Sequence, residues 1–89
     1  MTLRIERQSE RGKTTIRLIG RMRADHLSEV ERQIDQSGAN VTLDLGEVTL
    51  VDVQVVRFLG SCEARGIGVL NCSRYITDWI AKERRQEAP

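Results

Sequence analysis

The spacing of apolar residues constrains this chain most, because it switches between a period of two and a period near 3.6 several times. Leu3 and Ile5 alternate with polar neighbours, and Ile16 and Leu18 do so again after the turn-like "SERGK". Two strands joined as a hairpin follow from that. After Gly20 the period lengthens: Leu27, Val30 and Ile34 share one helical face, while Glu29, Glu31, Arg32 and Asp35 fill the other. Asp25 is the expected N-cap of this helix and Gly38 suits its C-terminal end. Val41, Leu43 and Leu45 then alternate with Thr42 and Asp44 as a strand. "GEVTLVD" leads into a second helix from about Asp52 to Ala64, with Val55, Phe58, Leu59 and Cys62 on one face and Gly66 at its end. "IGVLN" (Ile67 to Asn71) reads as a short strand. A last helix from about Ser73 to Arg84 buries Ile76, Trp79 and Ile80, and "RRQEAP" is a polar tail from about residue 84.

The order is therefore β-β-α-β-α-β-α in a single domain over residues 1–89. Strands separated by helices pair in parallel through right-handed crossovers, and the opening hairpin makes the sheet mixed. The expected fold is α/β: a small mixed sheet of about four strands, with the helices packed mainly on one face. A domain of 89 residues buries only roughly 60–65% of its unfolded surface, which favours a surface-mediated function over an enclosed active site.

Composition narrows the function classes. The three aromatic residues, Phe58, Tyr75 and Trp79, are too few for a base-stacking nucleic-acid binder, and the net charge of +1 gives no bulk attraction to nucleic acid or anionic membrane. No apolar run has bilayer-spanning length, and "MTLRIERQSER" lacks a signal-peptide apolar core. Cys62 and Cys72 form neither a disulfide framework nor a CxxC pair. With a single histidine, His26, far from both in sequence, no metal site is expected. These features describe a reduced cytoplasmic protein without cofactor, nucleic-acid partner or membrane insertion.

Few side chains invite chemistry. Cys72 sits in "NCSRY", near the start of the last helix and two residues before Arg74, both of which favour a thiolate. No histidine is close in sequence to serve as its base, and a free cysteine is more often a small buried hydrophobe. Arg17, Arg21 and Arg23 share one side only if their strand runs past Gly20. The acids that follow at Glu29, Glu31 and Asp35 favour a solvated mixed-charge surface over an anion site. Asp52 stands where a helix cap is required, a sufficient reason for an acid there.

Two stretches, "TIRLIGRM" before the first helix and "VTLDLGEVTLVD" running into the second, follow a known pattern when taken with "RGIGVLNCS" after it. From about Leu3 to Ile80 the chain resembles the STAS domain, named for sulfate transporters and bacterial anti-sigma factor antagonists. It is short for that family, ending after the third helix. In the family's antagonists the acid is followed by two small hydroxyl residues and a glycine, and one hydroxyl is phosphorylated by the partner kinase. Here Asp52 matches the acid, Val53 and Gln54 stand at the hydroxyl positions and Val55 at the glycine. No hydroxyl lies between Thr49 and Ser61, so no phosphorylation site is expected at this junction.

The resemblance implies a non-enzymatic interaction module, whose partner is an anti-sigma factor kinase, a related ATPase-fold protein, or a complex using it as a small subunit. The expected docking corner combines Arg21, Met22, Arg23 and Asp25 before the first helix with Asp52, Val53, Gln54 and Arg57 of the second. A thiol-based function at Cys72 is the alternative. A homodimer through the uncovered sheet face or an edge strand is compatible with either reading.

Overall fold

The computed structural model describes residues 3–87. Its elements are β1 (Arg4–Glu10), β2 (Lys13–Met22), a 3-10 turn (Ala24–His26), α1 (Leu27–Gln36), β3 (Val41–Val51), α2 (Val53–Ala64), β4 (Gly68–Leu70) and α3 (Arg74–Glu87). The four strands lie in the sheet in chain order: β1 and β2 antiparallel, β2 with β3 and β3 with β4 parallel. The fold is the small mixed α/β sheet with three helices that the apolar spacing implies.

The hairpin turns on Arg11 and Gly12, both at positive φ (53° and 78°), so its two-residue loop has the primed-turn twist that suits paired strands. Both parallel crossovers step in the same direction across the sheet. Right-handed connections therefore bring α1 and α2 to one face. That face is the core: Ile16, Leu18 and Met22 of β2 and Val41, Leu43 and Leu45 of β3 meet Val30 and Ile34 of α1 and Val55, Val56, Leu59 and Cys62 of α2. From α3, Ile76 and Ile80 complete it. The opposite face carries Glu6, Arg17 and Asp44 in adjacent register and is open.

Helix α3 packs on α2 at Gly60, where a Cβ would come 3.4 Å from Arg84 Cγ and 3.5 Å from Ile80 Cγ2. A Cβ would make ordinary van der Waals contact there, so the helices are close without depending on the glycine. Trp79 is only half-buried, so Ile76 and Ile80 anchor α3 in its place. The helix runs on to Glu87, correcting the polar tail expected from residue 84. Its segment to Glu87 is rich in good helix formers and lacks Gly and Pro. Residues 88–89 of that tail lie outside the described residues.

Strand β3 departs most from expectation, running eleven residues instead of ending near Leu45. Arg17 lies opposite Asp44 but Ile19 opposite Glu47, so β3 holds one extra residue at Leu45–Gly46. Gly20 lies opposite Val48 and Arg21 opposite Leu50, which leaves Thr49 as a second extra. These bulges carry Leu45, Val48 and Val51 in succession to the core side despite their spacing of three. They also carry β2 past Gly20 to Met22, so Arg17 and Arg21 do share the open face.

Candidate functional site

The end of β2, the 3-10 turn and the start of α2 meet at one corner, through Asp52. Its backbone is extended (φ −110°, ψ 178°), the usual geometry of an N-cap. One carboxylate oxygen, Oδ1, accepts the Val55 N–H at 2.9 Å, capping α2. The other, Oδ2, accepts the Ala24 N–H at 2.9 Å and so holds the turn before α1. A single side chain thus joins two segments 28 residues apart in the chain.

The turn itself is closed by two further bonds. The Arg23 N–H donates to His26 Nδ1 at 3.0 Å, and the His26 N–H donates to the Arg23 carbonyl at 2.9 Å. Asp25 is therefore not the cap of α1. The 3-10 turn inserts between strand and helix, His26 becomes the residue preceding α1, and the exposed Asp25 carboxylate lies 3.8 Å from Arg23 Nε.

Of the residues expected at the corner, Arg21, Arg23, Asp25 and Gln54 are exposed, and Asp52 and Val53 are half-buried. Met22 is fully buried, because strand alternation turns it into the core opposite Val51, and it offers no contact surface. Arg57 is exposed, but its Nε donates to Glu83 Oε1 at 2.9 Å. Glu83 is 8% exposed, so this pair binds α3 to α2 and takes Arg57 out of the corner. Leu50 joins it instead: 53% exposed, it lies opposite Arg21 on the open sheet face, two residues before Asp52. The strand pattern hid Leu50, because its outward position depends on the Thr49 bulge.

Arg17 lies between acids, ion-paired with Glu47 and 3.9 Å from Glu6. The arginine cluster is therefore part of a mixed-charge surface. Asp44 accepts the Gly46 N–H at 3.0 Å and the Asn71 Nδ2–H at 3.1 Å, and these bonds hold its carboxyl below the usual range. Among the described residues no cluster of His, Cys, Asp and Glu could hold a metal ion.

Cys72 does not have the lowered pKa its position suggests. Burial pushes its thiol up, outweighing the bond with Thr77 that favours the thiolate. The same cause pushes Cys62, in the core face of α2, up to about 11. A cleft of about 290 Å³ between α2 and α3 is lined by Ser61, Arg57, Glu83 and Arg84, with no histidine to activate the hydroxyl. Among the described residues no helix is long and apolar enough to cross a membrane.

No protein-family model matches the chain, and a search of curated proteins finds no significant relative.

Proposed function

We propose that this chain is a cytoplasmic, non-enzymatic protein–protein interaction module of STAS type that docks through the Asp52 corner. The observation that carries the reading is the double hydrogen bond of Asp52, which makes one preorganised surface from the turn before α1 and the first turn of α2. Preorganisation lowers the ordering entropy that binding must overcome. Around that fixed point stand exposed Gln54, half-buried Val53, Leu50, the cation Arg21, and Arg23 with the Asp25 carboxylate 3.8 Å from its Nε. A neutral, partly apolar helix start flanked by Arg21 suits a partner that brings apolar surface and a carboxylate. By resemblance, the partner is an anti-sigma factor kinase, a related ATPase-fold protein, or a larger complex in which this domain is a subunit. With no hydroxyl at the junction, availability of the partner controls docking.

The test is capture from the native cytosol by wild type, Gln54→Glu and Val53→Glu/Gln54→Glu, read by mass spectrometry. An acid in the first turn of a helix favours the helix, so Gln54→Glu should leave stability intact while adding charge to the contact. A regulatory ATPase-fold protein captured by wild type and lost with both variants is the expected result. The same protein captured equally by all three removes the corner from the mechanism.

A further inference from the structure

The turn from Arg23 to His26 is closed as a capping box, in which the third residue after the cap reaches back to the cap's own N–H. Glutamate or glutamine ordinarily fills that place, because each offers an acceptor oxygen near neutral pH. Here the acceptor is an imidazole nitrogen: His26 Nδ1 takes the Arg23 N–H at 3.0 Å. The His26 N–H returns to the Arg23 carbonyl at 2.9 Å. His26 is the only histidine of the chain, and it is half-buried. A ring nitrogen that accepts an N–H carries no proton, so the bond selects the neutral ring with its hydrogen on Nε2.

We propose that His26 makes the turn before α1 a pH-sensitive latch, closed by the neutral ring and opened by its protonation. The Nδ1 lone pair takes a proton from water, and the ring becomes a donor at both nitrogens. Two N–H groups then face each other across the former bond, and the Arg23 amide turns to solvent. The next donor along is the Ala24 N–H, which Asp52 Oδ2 holds at 2.9 Å. Opening at Arg23 therefore loosens the Asp52 bridge at its turn end. The Val55 N–H, which caps α2 on Asp52 Oδ1, stays in place.

The charged groups around the ring do not offer the imidazolium a ready replacement. On the turn, Asp25 lies 3.8 Å from Arg23 Nε. In the first turn of α1, Glu29 is held by Arg32 and Gln33. At the start of α2, both Asp52 oxygens accept backbone N–H groups. Arg21, at the end of β2, adds positive charge to the same corner and opposes a further cation. Control of docking by this latch rests on the reading of the corner as the contact surface, whereas the opening of the turn does not.

Amide hydrogen exchange from about pH 5 to about pH 8, expressed as protection relative to an unstructured chain, tests this in the isolated protein. Protonation of the ring is followed alongside by its NMR carbon shift. In wild type, Arg23 should lose protection about three- to fivefold and Ala24 about twofold as the ring takes up its proton, with Val55 constant. His26→Gln keeps an acceptor that does not titrate, so its Arg23 protection should stay level over the range. His26→Ala should be poorly protected at Arg23 throughout, and His26→Gln decides the matter alone if the alanine variant does not fold. Arg23 protection that is unchanged through ring protonation overturns the proposal. So does an equal loss in His26→Gln, which would belong to Asp25, Glu29 or Asp52. Failure of the docking reading would appear instead as unchanged capture by the Val53 and Gln54 variants, with these exchange rates as expected.

Discussion

Replacing Asp52 by Asn and by Ala separates the two bonds that define the corner. Asparagine is as good an N-cap as aspartate, so its carbonyl still accepts the Val55 N–H. Its amide nitrogen then faces the Ala24 N–H, donor against donor, and that bond is lost. A hydrogen bond to a carboxylate contributes about 1.5–3 kcal/mol when shielded, and the Ala24 bond is solvent-exposed, so about 1 kcal/mol is expected. Alanine removes the cap as well, worth about 1 kcal/mol, for a total of about 2 kcal/mol. In a domain of this size each kcal/mol moves the thermal midpoint by about 4–8 °C. The drop should therefore be about 4–8 °C for Asp52→Asn and about twice that for Asp52→Ala, by calorimetry at neutral pH. Hydrogen exchange assigns the loss: in the Asn variant the Ala24 amide should exchange about fivefold faster while Val55 keeps its protection, and in the Ala variant both should quicken. If Asp52→Asn matches wild type in midpoint and in Ala24 exchange, the carboxylate does not bridge the two segments and the rigid-corner reasoning fails.

Other substitutions probe the rest of the molecule. Arg11→Asn should stabilise the protein by about 0.5–1 kcal/mol in urea unfolding, since Asn-Gly adopts the primed turn that Arg11 enters against its preference. Arg57→Ala, which leaves the Glu83 carboxylate buried without its partner, should cost about 1–3 kcal/mol, more than Glu83→Gln, which keeps an acceptor and frees a half-exposed arginine to water. Asn71→Gly keeps the left-handed backbone (φ 58°) and removes one of the two bonds to Asp44, so the Asp44 carboxyl should titrate closer to the ordinary 3.8 by carbon-detected NMR. Because folding lowers that pKa, the stabilisation linked to Asp44 is present above 3.8 and disappears as the pH falls through the folded value, and Asn71→Gly should show a smaller acid-side loss. Alkylation of Cys72 at neutral pH should be slower than that of an unstructured cysteine, and Cys62 should react only on unfolding. A Cys72 faster than the free thiol would revive thiol chemistry.

The amphipathic helices were legible because their apolar positions are decided by local spacing: Leu27, Val30 and Ile34, then Val55, Leu59 and Cys62, then Ile76 and Ile80 all face the core or its edge. The second half of β3 was not, and the register says why. Across Leu43 to Val51 the inward and outward residues alternate without fault once Gly46 and Thr49 are set aside. Two bulge residues were enough to hide six residues of strand, and with them the burial of Met22 and the exposure of Leu50. At the corner, Asp52 as cap followed from an acid before a helix, whereas its second bond, to Ala24, depends on a crossover no local pattern records. The same limit applies to Arg57, whose partner Glu83 comes from a helix 26 residues away.

The sheet's spatial order equals its order in the chain, and this bears on how the protein is made. A nascent chain emerges from its N-terminus. The hairpin can close as soon as Lys13 to Ile19 is free, since every contact it needs is local. Each later strand then finds its neighbour already in place and never has to insert between two finished ones. Until α3 follows, the face of α2 that it will cover stands open. The interval after α2 and β4 have formed and before α3 has docked is therefore the one in which this sheet's core is least covered.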